Sequence, residues 1–287
     1  MIETIITQIQ RHAEYNKIQQ SAISDLILYR ADYLTESLIY MQQAGVYAVF
    51  QGEKAFRIGQ RHFHLRAGDV ILHHTSLPII INSLTASADK PYLALCFKLN
   101  EAELGKLVRQ MPEGRLKKQT AQANHIPISP ELTSAFSRVL NLLDMPEDTD
   151  ILLPLLRREI HYYLLKSPLG GQLAKLFDQG RRFQPVRQAV QWLENHFTEP
   201  LNVEILAAEV GMSHTNFFRC FKEMTGFSPL EYQKSLRLME ARQLLKQGRL
   251  KVTTAAFQVG YESAVQFSRE YQRYFGTSPK QDRIAKL

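Results

Sequence analysis

Two arginines fifty residues apart, Arg219 and Arg269, each stand six positions after a serine in otherwise similar surroundings. A guanidinium in such a place can do what a core side chain cannot. Its planar fork is able to donate two parallel hydrogen bonds to the acceptor edge of a guanine. The residues around the arginines repeat as well. Ser213, Phe217, Arg219, Phe221, Gly226, Ser228 and Pro229 match Ser263, Phe267, Arg269, Tyr271, Gly276, Ser278 and Pro279 at a spacing of 50. Upstream, Val203, Ala207, Val210 and Gly211 match Val252, Ala256, Val259 and Gly260 at a spacing of 49, so one residue has been added near Glu262. Self-similarity at a fixed period marks a repeated structural unit.

Each copy needs elements that can hold its arginine outward. Leu206, Val210, Phe217 and Phe221 suit two short helices packed on each other, and Ala207 permits close approach. Gly211 and Gly260 can take the left-handed conformation that ends a first helix. Ser213 and Ser263 then start a second helix, their hydroxyls expected to cap free backbone N–H groups. Both copies therefore read as helix, tight turn, helix. A plain helical hairpin would want the same glycine and the same apolar spacing, but the repeated arginine is not a core residue in either copy. Between the units, Leu230 to Gln247 reads as one helix with Leu238, Ala241 and Leu245 on one face and Lys234, Arg237 and Arg242 elsewhere. Its length of about 27 Å is close to the ~34 Å separation of successive major-groove faces.

Charge is concentrated in the same region. Residues 1–180 carry 19 Lys and Arg against 18 Asp and Glu, whereas residues 181–287 carry 16 against 10, which holds most of the net +7. A basic domain attracts phosphates, because each one neutralised releases counterions.

Through GMSHTNFFRCFKEMTGFSPLEYQKSLRLMEARQLL and VGYESAVQFSREYQRYFGTSP, residues 183–280 resemble the AraC/XylS family of transcription regulators. The resemblance implies that the helix after each serine enters the major groove. The first would present Thr215, Phe218 and Arg219, with His214 beside them and Lys222 toward the phosphate backbone. The second, with Ser263 at its start, would present Ala264, Val265, Gln266, Ser268 and Arg269. Lys234 and Arg237 on the joining helix are added as DNA contacts. Ala264 and Val265 depart toward apolar residues, so the first helix is the better equipped reader and the second is expected to anchor. A salt bridge from Arg269 to a neighbour such as Glu262 is the competing use of that side chain. The end PKQDRIAKL lacks the aromatic often found after the second Ser-Pro in relatives, which predicts a less firmly packed final helix.

The N-terminal two thirds read differently. Short β-prone runs at Leu26–Tyr29, Tyr47–Gln51, Ala55–Ile58, Arg61–Leu65, Val70–His74, Ile79–Ser83 and Tyr92–Lys98 are separated by turns such as Gln51-Gly52-Glu53, Gly59-Gln60 and Arg66-Ala67-Gly68-Asp69. Helices are expected at Asn100–Met111, Ser129–Asp144 and Ile151–Lys166. The run VYAVFQGEKAFRIGQRHFHLRAGDVILHHTSLPIII, followed by ASADKPYLALCFKLN, resembles the cupin-like N-terminal domain of a subgroup of the same family. The fold class expected is α+β in two domains: a cupin-like β-barrel or jelly roll with trailing helices over 1–167, a linker over 168–182, and an all-α DNA-binding domain over 183–287.

His62, His64, His73 and His74 raise a rival reading. A hairpin centred at Ala67-Gly68 would set His62 opposite His73, and metal-binding cupins use such an H-x-H pair. Those enzymes follow it with a spaced Glu and a later His, which RAGDV does not supply. Ser76, His73 and Asp69 lack nucleophile context, and no catalytic triad is assigned. No metal or cofactor is expected, and no enzyme activity; a metal-dependent cupin enzyme fused to a DNA-binding module stays as the alternative. Leu153, Leu156, Ile160, Tyr163 and Leu164 form a helical stripe that serves either as core or, as the resemblance implies, in a homodimer. The family also implies promoter DNA, RNA polymerase and a small effector or partner subunit as binding partners, and an activator among its outcomes. Two lone thiols, Cys96 and Cys220, and the absence of a signal or membrane-spanning pattern predict a cytoplasmic protein with no membrane partner.

Overall fold

Alternation decides the middle of the β domain. In Glu53–Ile58 every second side chain is buried, and in Arg61–Arg66 Phe63 and Leu65 point inward while Arg61, His62, His64 and Arg66 face out. The computed structural model describes residues 1–33, 39–112, 125–171, 173–174, 180–248 and 250–284. Its strands are β1 Lys17–Gln20, β2 Leu26–Ala31, β3 Ile39–Gln42, β4 Gly45–Gln51, β5 Glu53–Ile58, β6 Arg61–Arg66, β7 Asp69–His73, β8 Leu77–Thr85, β9 Tyr92–Phe97 and β10 His125–Pro127. They form two antiparallel sheets, one ordered β1-β2-β9-β4-β7-β10 and the other β3-β8-β5-β6. β4 and β9, buried along almost their whole length, are the middle of the larger sheet and read as continuous apolar runs.

This topology corrects the histidine hairpin. β6 pairs with β5 and β7 pairs with β4, so His62 lies opposite Arg57 while His73 lies opposite Gly45, in the other sheet. The Arg66–Asp69 turn crosses between sheets and does not close a two-stranded ladder. His62 and His64 do share one exposed face, as expected, and His64 sits 3.1 Å from Glu53. Among the described residues no three His, Cys, Asp or Glu side chains come together as a metal-holding group.

Helices follow and flank the sheets: α1 Ile2–His12, α2 Glu101–Gln110, α3 Pro130–Asn141 and α4 Thr149–Lys166. Asn100 and Ser129 cap α2 and α3 with their side-chain oxygens. The expected stripe on α4 is core: Leu153, Leu156, Ile160 and Leu164 are buried, largely against α3. Tyr163 is half-buried beside them. A different set, Ile151, Leu152 and Leu155, faces outward. The linker placed at 168–182 includes positions 172 and 175–179, which lie outside the described residues.

The C-terminal part is helical throughout: α5 Gly180–His196, α6 Val203–Glu209, α7 His214–Thr225, α8 Pro229–Lys246, α9 Val252–Gln258, α10 Ala264–Phe275 and α11 Pro279–Ile284. The repeat maps onto it with its offset. α6 and α9 start 49 apart and α7 and α10 start 50 apart, so the added residue lies in the second turn, between Gly260 and Ser263. Gly211 and Gly260 both have positive φ, at 73° and 90°. No helix of the described residues is long and apolar enough to cross a membrane.

Candidate nucleic-acid interface

α7 and α10 are equivalent helices of 12 residues, each entered through a serine and closed by a left-handed glycine, Gly226 or Gly276. Their inner faces are fixed by aromatic packing. Phe217 and Phe221 are fully buried in α7, as are Phe267 and Tyr271 in α10. A helix pinned by residues at i and i+4 must present the intervening positions to solvent. On α7 those are His214, Thr215, Phe218, Arg219 and Lys222, all exposed. Together they make a continuous outward face, with the His214 and Phe218 rings 6.4 Å apart. Nη2 of Arg219 donates to Oδ1 of Asn216 at 2.9 Å, which holds the fork against the helix one turn before its own position. Asn216 was not singled out in the sequence, although its i, i+3 relation to Arg219 is a signal that could have found it.

The second face is more apolar and more committed to itself. Val265 is 63% exposed, and Gln266 and Arg269 are exposed beside it, while Ser263, Ala264 and Ser268 are half-buried. Oγ of Ser263 accepts from the Gln266 N–H and caps the helix. The Ser268 hydroxyl donates back to the Ala264 carbonyl at 2.8 Å, and the Gln266 amide leans on Glu270 at 3.4 Å. No ion pair joins Arg269 to Glu262 among the described residues, so the competing use of Arg269 does not arise. The serine caps also differ: Ser213 occupies the N-cap position of α7 but its hydroxyl makes no capping bond, contrary to expectation.

The two joining-helix cations are occupied. Lys234 pairs with Glu270 at 2.9 Å. Arg237 turns its guanidinium onto the carbonyls of Phe197, Thr198, Glu199 and Gly260. Four of its five N–H donors are thus spent inside the fold. The final helix is corrected. Asp282 of α11 is 2% exposed and accepts from Nε of Arg242 at 2.9 Å and from the Tyr271 hydroxyl at 2.7 Å. A buried ion pair thus anchors α11 without an aromatic side chain.

A second polar group lies inside the β domain. Lys54 is 2% exposed, and its Nζ donates to the hydroxyls of Tyr40 at 3.1 Å and Tyr47 at 3.0 Å. The Tyr47 and Tyr92 hydroxyls are 2.6 Å apart, and Gln42 donates to the Tyr29 hydroxyl. Burial pulls the Lys54 amine down to about 7 and the neighbouring His73 down to about 3. Sequence reading missed Lys54, because the alternation of β5 marks its position as inward but says nothing of what meets it there.

A two-domain chain with a sensor-like β domain and a tandem pair of outward-facing recognition helices is the build of a one-chain transcription regulator. Family comparison bears this out. Residues 22–172 match the AraC-type transcriptional regulator N-terminus and residues 206–284 match a helix-turn-helix domain. The chain belongs to the AraC-type family of DNA-binding transcription regulators. It is 24% identical over 254 residues to the virulence regulon transcriptional activator VirF of Yersinia enterocolitica, covering 85% of this chain and 90% of that one. It is 36% identical over 89 residues to the transcriptional activator RhaS of Escherichia coli, covering 31% of this chain and 32% of that one. Among solved structures, apo ToxT from Vibrio cholerae aligns over 94% of this chain and the whole of that chain at a TM-score of 0.55 and 12% identity, a likeness of fold.

Proposed function

We propose that α7 is the principal base reader of this regulator and that α10 chiefly anchors it to the phosphate backbone. The observation that carries this is the contrast between the two outward faces. His214, Thr215, Phe218 and Arg219 stand exposed on α7 with Lys222 at their edge, Arg219 steadied by its one bond to Asn216, whereas Ser263, Gln266 and Ser268 of α10 are bonded within their own helix and leave Ala264, Val265 and Arg269 to meet DNA. In this reading Arg219 reads guanine, Thr215 and Phe218 contact thymine methyl groups, and Lys222 and Arg269 grip phosphate. Arg219→Ala should weaken binding by about 1–3 kcal/mol at one base position, while Lys222→Ala weakens all sequences alike and lowers the salt slope by about 1. Equal affinity of wild type and Arg219→Ala for the best site would sink the assignment.

The β domain, which we read as cupin-like and as ending near residue 167, holds a small effector or partner that biases how the C-terminal units engage a promoter. What supports an effector is the polar group around the buried Lys54 amine, whose removal from water costs the β domain stability. A thermal shift with metabolite pools that vanishes in Lys54→Met tests it. The outward strip of Ile151, Leu152 and Leu155 on α4 fits a homodimer in the cytoplasm, and activation through RNA polymerase follows the activator relatives. Sedimentation of Leu155→Glu against wild type tests the dimer; a wild type that stays monomeric at micromolar concentration refutes it.

A further inference from the structure

We propose that Arg237 is a positioning residue for DNA reading, fixing the angular phase between the two recognition helices without touching DNA. The proposal rests on α7 and α10 being the readers. Nε of Arg237 donates to the Phe197 carbonyl at 2.6 Å, and Nη2 donates to those of Thr198 and Glu199 at 3.2 and 2.7 Å. Those three carbonyls belong to the segment that leads into the first unit. Nη1 donates to the Gly260 carbonyl at 2.8 Å, which is the turn of the second unit. One planar cation on the joining helix therefore spans both units, using the rigid spacing of its donors.

Neighbouring residues reinforce the same junction. Gln233, one turn earlier on α8, donates to the Phe197 and Glu199 carbonyls at 3.1 and 2.7 Å. A Cβ on Gly260 would lie 2.1 Å from the Thr198 carbonyl oxygen, so the two units meet there backbone to backbone, and φ at +90° also favours glycine. Beyond the turn, Glu270 of α10 accepts from Lys234 of α8 and from the Tyr261 hydroxyl, both at 2.9 Å. A helix such as α8 fixes how far apart the units are along its axis. It does not fix their rotation about that axis, which lateral bonds must set. Two helices reading successive major-groove faces need that rotation to match the twist of the duplex.

The test uses the full chain and duplexes carrying the two half-sites recovered by selection from random DNA, with one or two base pairs inserted or removed between them, plus a single half-site duplex. Changing the spacing by two base pairs should lower wild-type affinity about tenfold, the size of one mismatched contact. Arg237→Ala should flatten that profile while single half-site affinity and the salt slope stay as in wild type. Arg237→Lys keeps the charge without the fork and should flatten it as well; Gln233→Ala gives the same direction if Arg237→Ala does not fold. A steep profile in these variants overturns the proposal, as does a wild type indifferent to spacing. Uniform loss at all spacings with a shallower salt slope overturns it in favour of a phosphate contact. Arg219→Ala that leaves single half-site binding unchanged would instead sink the reading of α7, whatever the spacing profile shows.

Discussion

The two helix-turn-helix units are copies in sequence but are embedded differently. Phe217, Cys220, Phe221, Phe227, Tyr232 and Leu236 of the first unit belong to one apolar core with the β domain. The second packs a separate, smaller core from Leu238, Ala241, Leu245, Ala255, Ala256, Val259, Tyr261, Phe267, Tyr271 and Phe275 together with Ile39 of β3 and Ile80 of β8. Polar contacts follow the same division. The Tyr232 hydroxyl lies 2.9 Å from the Ser76 carbonyl of the β7–β8 turn, to which it donates, and 3.2 Å from the Glu194 carboxylate, and Gly59 of the β5–β6 turn abuts Gly226 at the end of α7. The unit that carries Arg219 on its outward face is thus the one whose core is continuous with the main core of the β domain.

Destabilising the second unit alone is the strongest way to break this comparison. Asp282→Ala leaves the buried Arg242 without its carboxylate and should cost about 3–5 kcal/mol. Hydrogen exchange should rise in α9–α11 and remain low in α7; loss of protection in both units together would show that their cores are not separate. A pH series sharpens the other side. The Lys54 amine titrates near 7 in the fold and near 10.5 when free, so between these values the unfolded chain binds more protons and stability rises with pH. Lys54→Met should remove that rise, an effect on the order of a few kcal/mol, in urea unfolding of the β domain and first unit; an unchanged pH slope refutes it.

Smaller effects compare the helices themselves. In Arg219→Ala the loss of discrimination should fall on one base position at about 1–3 kcal/mol, whereas Arg269→Ala should weaken all sequences by a similar or smaller amount. Binding measured against a panel of single-base variants separates the two; equal base specificity at both arginines would make the units equal readers. The capping serines should differ least but in a fixed direction. Ser263→Ala loses a formed cap and costs about 1 kcal/mol, while Ser213→Ala loses none and should fall within a few tenths. Chemical denaturation resolves that difference, and reversed costs would contradict the geometry of the two helix starts.

Much of the fold was legible because it rests on local rules. Seven of the eight strands between Leu26 and Phe97 follow from alternation and turn residues, and α2, α3, α4 and α8 from caps and apolar spacing, all within a few residues of their observed ends. β1 escaped because Lys17–Gln20 is an edge strand with little burial and hence no pattern. β10 is three residues long, and β3 presents no clean alternation. α1 lacked the polar cap that announces a helix, since Met1 offers no capping oxygen, although Ile2, Ile5, Ile6 and Ile9 carry helical spacing. The strand boundaries placed His62 and His73 correctly, but not their partners, because which ladder a strand joins depends on the whole sheet.

By itself the sequence determined that there are two units, where each turn falls and which side chains face away from each core. Those features depend on helical periodicity, on glycine at positive φ and on the chemistry of single side chains. Only the tertiary structure decided what the long polar side chains do. Arg237 and Lys234 looked like free cations on an exposed helix, and Asp282 like a surface carboxylate. Their partners, at Gly260, Glu270 and Arg242, lie 23 to 40 residues away in the chain and reach them only after packing. Net charge is written in the composition; whether a given charge meets DNA or a carbonyl is settled when helices from distant segments close on each other.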